Sequence, residues 1–220
     1  MSENKVEIKN AKHLWGMDSY EIDRLIKKEI NKRAVVTCIG QSGEKLSKIS
    51  SIMSNGEHGR ATARCRLGAV MGSKRLKAIV VSGAKNDPRV HRNVKLKESI
   101  NKILLSVKGK GKMLREYGTA GQFLSAEEIG DLPIKNWKLG SWKEGAGKIC
   151  GQTMTESILS GRYSCSNRII GCGRVVNIPE SPYGKVYGGG PEYETLAAFG
   201  SMCLIDDLLA VAKANELCNR

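Results

Sequence analysis

The stretch from His58 to Gly83, "HGRATARCRLGAVMGSKRLKAIVVSG", is where the chain changes character. It opens as a loop rich in arginine and small residues, turns at Gly72–Ser73, and closes in "LKAIVVSG", an apolar run of strand length ended by a glycine. The next segment, "AKNDPRVHR", is polar and contains Pro88, which places a domain boundary near residue 85.

Before that boundary the pattern mixes strands and helix. Residues 5 to 11, with "VEIKNA", alternate like a short half-buried strand. "MDSYEIDRLIKKEI" predicts a helix with Asp18 as N-cap, Glu21 at the capping-box position, and Ile22, Leu25, Ile26 and Ile30 on one face. "RAVVTCIG" (33 to 40) reads as a buried strand entering a glycine turn, and "EKLSKISSIMSN" as a short helix or strand. After the boundary the period becomes helical. "VKLKESINKILLSVKG" spaces Ile100, Ile103, Leu104 and Val107 on one face, "TESILSGRY" predicts a brief helix, and "EYETLAAFGSMCLIDDLLAVAKANELCN" two more. The expected class is α+β: residues 1 to 84 belong to a β-rich domain and residues 85 to 220 to a largely helical one.

The 220 residues are 40% hydrophobic, enough for a core, and no segment is low-complexity. Lys and Arg number 36 against 22 Asp and Glu, a formal net charge of +14 that attracts polyanions without selecting among them. The basic runs lack the interleaved aromatics of a single-strand binder, so solvated helix faces are expected, with nucleic-acid binding the lesser alternative and no specific nucleic acid implied. Seven cysteines without regular spacing do not form a secreted disulfide scaffold. The N-terminus has no apolar h-region, and no run approaches the roughly 18 apolar residues of a membrane span. A cytoplasmic chain with thiols reduced or metal-bound is expected.

Taken alone, Cys165 and Cys172 in "YSCSNRIIGCGRVVNIP" describe buried free cysteines more readily than metal ligands. Their neighbours add to the reading. "RLGAVMGSKRLKAIVVSG", "YGTAG" (117 to 121), "DLPIKNW" (131 to 137), "SCSNRIIGCGRVV" and "GGPEYETLAAFGSMCLIDDLLAVAKANELCN" follow one another in an order and spacing that resembles the tungsten-containing aldehyde ferredoxin oxidoreductases. The resemblance covers nearly the whole chain. It implies a tungsten atom, or molybdenum in some relatives, held by two pterin cofactors (a tungstopterin) beside a 4Fe-4S cluster. An aldehyde would be oxidised to a carboxylate and electrons passed to ferredoxin. The implied fold is an N-terminal β domain, the base for the pterins, followed by helical domains.

The resemblance also assigns residues. Arginines among small residues supply the cations and backbone N–H groups that a pterin phosphate needs, which singles out Arg60, Ala61, Arg64 and Gly68. The usual loop resembles R-A-A-G-R-G-G-L-G, so "RATARCRLG" puts Ala63, Cys65 and Arg66 where the family has glycines. Where the family reads C-x2-C-x3-C, Cys165 and Cys172 match the first and third cysteines and Arg168 replaces the second; arginine cannot ligate iron. From "PEYET", Glu192 or Glu194 is the expected catalytic carboxylate, Glu192 first. The resemblance further implies an incomplete chain, about one third of a family member, lacking the distal cluster cysteine, a G-L-D pterin segment and a third domain. A complementary chain or homo-oligomer would then complete it, and Leu196, Phe199, Met202, Leu208, Leu209 and Val211 would form an exposed apolar face. The alternative is a non-catalytic remnant or assembly subunit.

Overall fold

Asp18 starts the first helix as the sequence dictates. Its carboxylate accepts the backbone N–H groups of Tyr20 and Glu21, both at 2.9 Å, and the Glu21 side chain accepts the Asp18 N–H at 3.1 Å. Two otherwise orphaned donors are satisfied, and the helix α1 (Ser19–Glu29) runs from there. Ile22 and Ile26 go into a core with Leu14, Val36 and Cys38, while Leu25 packs at its edge and Ile30 caps the helix in an exposed position.

This computed structural model describes residues 5–83, 93–165 and 168–220. The polar segment 84–92, and with it the boundary expected near residue 85, lies outside the described residues. The chain divides into two compact units, Met1–Pro88 with Asn219–Arg220, and Arg89–Cys218.

The first unit is built on a four-stranded antiparallel sheet of order β3-β2-β1-β4, with β1 Val35–Cys38, β2 Ile52–Ser54, β3 Arg60–Thr62 and β4 Ala78–Val81. Val36, Cys38, Ala78 and Val80 face α1. Val35, Ile79 and Val81, on the other face, are exposed. Helices α2 (Gln41–Glu44) and α3 (Leu67–Ser73) pack so closely that a Cβ at Gly72 would overlap the Gly43 carbonyl. Gly72–Ser73 therefore closes a helix, where a turn was expected. Lys77, 1% exposed, donates to the Met17 carbonyl at 3.2 Å and pairs with Glu44, which accepts the Gly16 N–H at 2.9 Å. Residues 5 to 11 do not form the expected strand. No strand pairs with them among the described residues, and Val6 and Ile8 are 91% and 100% exposed. Alternation alone supplies neither a hydrogen-bond ladder nor a surface to pack on.

In the second unit, α4 (Asn93–Lys110), α5 (Lys112–Tyr117), α6 (Phe123–Glu128), α7 (Lys143–Ile149) and α8 (Gly151–Ser157) precede a three-stranded antiparallel sheet of order β5-β6-β7. The strands are β5 Leu159–Tyr163, β6 Gly173–Ile178 and β7 Val186–Gly189. After them come α9 (Tyr193–Thr195), a π-helical turn Leu196–Ser201, and α10 (Leu208–Asn219). "TESILSGRY" departs from the expected helix: α8 stops at Ser157, and 159–163 pairs with β6, Tyr163 opposite Gly173. The Tyr163 ring occupies the space a Cβ on Gly173 would need, a cross-strand contact that local periodicity does not carry. The class is α+β, as expected.

The core of this unit gathers Phe123, Leu132, Ile134, Ile149, Met154, Leu196, Leu208 and Val211. Leu196, Leu208 and Val211, expected on an exposed face, are thus covered from within the unit; of that set Met202 is exposed. Exposed apolar side chains also occur on α4, at Val94, Leu96, Ile100, Ile103 and Leu105. Among the described residues no helix is long and apolar enough to cross a membrane.

Candidate functional site

"PEYET" begins where β7 hands over to α9. Glu192 stands at the N-cap, in extended conformation, and its carboxylate is held twice. The Arg174 Nη2 donates to Glu192 Oε2 at 3.0 Å, and the Thr119 hydroxyl donates to the same oxygen. Thr119 Oγ1 in turn accepts the Tyr193 N–H at 3.0 Å, so the helix start is tied to the "YGTAG" turn through both side chain and backbone. Glu194, two residues further on, is exposed and has no hydrogen-bond or ion-pair partner among the described residues.

Arg174 is the unusual member. It is 1% exposed, and burial pulls its guanidinium pKa down, an effect opposed by the Glu192 charge. The guanidinium lies against Gly118, whose φ of +61° and missing Cβ make the space; any side chain there would overlap Nε. Nη1 approaches the Met154 sulfur at 3.6 Å, and Nε has no hydrogen-bond partner among the described residues. Sequence reasoning passed over Arg174 and Thr119, although both lie in quoted motifs, "GCGRVV" and "YGTAG"; an arginine inside an apolar strand was the available signal.

Cys165 and Cys172 bracket the loop between β5 and β6, and both are partly buried. The Arg168 N–H donates to the Cys165 carbonyl at 3.1 Å, and Gly171, at φ +65°, leaves the Ser164 hydroxyl the space a Cβ would need. Among the described residues no third Cys, His, Asp or Glu joins the two thiols in a metal-sized group. Two thiols do not make the four-thiolate donor set of a cluster, and Arg168, between them in sequence, cannot ligate iron.

In the first unit the arginine loop is a strand followed by a tight turn. Arg60, Ala61 and Thr62 form β3, paired with Ser54, Met53 and Ile52. Ala61, Arg64, Cys65 and Arg66 are exposed. Cys65 and Arg66 hold φ of +67° and +59°, so the backbone keeps a left-handed conformation that favours glycine, at two of the three positions where the related loop has glycine. Gly68 has a packing role: a Cβ there would lie 2.7 Å from the Ser50 hydroxyl and the Ser51 carbonyl. The exposed cations fit an anionic phosphate; the side chains at 65 and 66 narrow the approach to the backbone.

The chain matches the family descriptions "Aldehyde ferredoxin oxidoreductase, N-terminal domain" over residues 1–83 and "Aldehyde ferredoxin oxidoreductase, domains 2 & 3" over residues 95–220. It is 38% identical to a tungsten-containing aldehyde ferredoxin oxidoreductase of Thermococcus kodakarensis and 36% identical to one of Pyrococcus furiosus, each over 100% of this chain and 36% of the relative. An aliphatic sulfonate oxidoreductase, WOR-like subunit, of Pyrococcus furiosus is 31% identical over 60% of this chain and 23% of its own length. The fold also resembles the active site complex BamBC of benzoyl coenzyme A reductase in complex with 1,5-dienoyl-CoA, with a TM-score of 0.71, 21% identity, and coverage of 98% of this chain and 34% of that one. The chain thus spans about a third of the length of these oxidoreductases. With both family descriptions matched in order along one chain, it belongs to the aldehyde ferredoxin oxidoreductase family.

Proposed function

We propose that this chain is part of a cytoplasmic enzyme that oxidises an aldehyde to a carboxylate at a tungstopterin and passes the electrons to ferredoxin. The observation that carries the reading is family membership along the whole chain. Arg60, Ala61, Arg64 and Gly68 are the proposed contact to the pterin phosphate, with Arg64 and Arg66 supplying exposed positive charge. Once bound, the tungstopterin supplies the two-electron redox chemistry.

Of the two carboxylates, Glu194 is the one open to chemistry. Glu192 is committed to Arg174 and Thr119, whereas Glu194 is exposed and unengaged, able to accept a proton or orient water or substrate. No electron step is assigned to a cluster on this chain, since Cys165 and Cys172 do not supply its donor set. Catalysis is therefore proposed for this segment together with the remainder of a family member's length, of which it matches about a third. A second reading, an assembly or remnant subunit, is favoured by Arg168 and by the left-handed Cys65 and Arg66.

Co-expression decides between them. The chain would be produced alone and together with a chain covering the rest of a family member, then assayed for tungsten, pterin and aldehyde-dependent viologen reduction. The expected result is metal and activity only in the pair. Metal-free, inactive pairs would favour the subunit reading, and unaided activity of the single chain would overturn the need for a complement.

A further inference from the structure

The Arg174–Glu192–Thr119 triad does more than fill the core of the second unit. A methionine or leucine would fill the Arg174 site without desolvating a cation, and replacing a buried pair by apolar residues is often stabilising. The chain instead keeps a buried guanidinium, accepts a left-handed glycine at 118 to admit it, and leaves Nε unpartnered among the described residues. All of this converges on one carboxylate oxygen at the start of one helix. Thr119 completes the hold, donating to that oxygen and accepting the Tyr193 N–H. The next carboxylate along, Glu194, is rigidly connected to this anchor by two residues of helix.

We infer that Arg174 is a positioning residue: acting through Glu192, it fixes the beginning of α9 and so the direction in which Glu194 is presented. The inference rests on the proposed role of Glu194. Thr119 is the second, uncharged half of the same latch. Arg174 touches neither substrate nor cofactor in this assignment; its effect passes through Glu192 alone.

Carbodiimide-driven amine labelling of the folded chain, resolved by mass spectrometry, tests it without any cofactor. Glu194 is expected to label readily and Glu192 at least about tenfold more slowly, the factor that corresponds to one charged hydrogen bond. Arg174→Met should release Glu192 and also change the rate at Glu194, which neither Arg174 nor Thr119 contacts; Arg174→Lys, keeping the charge, should restore both in part. Thr119→Val should speed hydrogen exchange at the Tyr193 amide and leave Glu192 protected by Arg174. Equal labelling of the two glutamates in the wild-type chain, or identical behaviour of the Lys and Met variants, would overturn the inference. If Arg174→Met fails to fold, Arg174→Lys and Thr119→Val still decide it. Failure of the proposed enzymatic role would read out separately, as a co-expressed pair without tungsten or activity while the labelling pattern persists.

Discussion

Cys65 and Arg66 carry a cost that can be measured. Both hold left-handed backbone, at φ +67° and +59°, where an L side chain crowds the following carbonyl. Substituting glycine at either position should raise stability by up to about 1 kcal/mol, seen as a higher midpoint in thermal or denaturant unfolding. Unchanged or lower midpoints would mean that the turn relaxes once the side chain is removed. The opposite experiment is Gly118→Ala. Position 118 combines φ +61° with a buried guanidinium in the space of the new Cβ, so both strain and overlap follow. A loss of about 3 kcal/mol or more is expected, with Arg174 driven from Glu192. The glycine positions of the arginine loop were legible through the family pattern; Gly118 was not, because its reason lies in a strand 56 positions away.

Among the elements, α1 was legible in its start and its buried face, Ile30 apart, because its signals are local: a capping box and a four-residue apolar period need no knowledge of the rest of the chain. β5 was not, since its conformation depends on Tyr163 meeting Gly173 across a hairpin. The entry to α7 is a third case. Its N-terminus is capped by Glu127 from α6, which accepts the Trp142 N–H at 2.9 Å and the Ser141 hydroxyl at 2.6 Å. The Ser141 hydrogen bond, helped by the Trp142 N–H and Lys143, outweighs burial and holds the Glu127 carboxyl below its ordinary value of 4.5. A depressed folded-state pKa gives stability that is present above the unfolded value and lost as pH falls through the folded one. Glu127→Gln should therefore be less stable than wild type at neutral pH, and the gap should narrow progressively as pH falls below about 4.5. A gap that stays constant through the acid range would show that shape, not charge, does the capping.

For the whole molecule two forces oppose each other. A net charge of +14 repels other copies. Against it stand apolar surfaces on each unit, the sheet face of Val35, Ile79 and Val81 in the first and the α4 stripe of Leu96, Ile100 and Ile103 in the second. Contiguous apolar surface of this kind favours association. Salt separates the two contributions, because repulsion between exposed charges is screened over about 8 Å at physiological ionic strength while apolar burial is not weakened. Light scattering of the chain alone should show self-association that rises with sodium chloride, and Ile103→Lys, which interrupts the α4 stripe, should reduce it at every salt concentration. Heparin should do the reverse, holding the chain at low salt and releasing it as phosphate-like contacts are screened. A monodisperse monomer at high salt would mean that the exposed stripes are too small or too divided to pair. Association that fades with salt would assign it to charge.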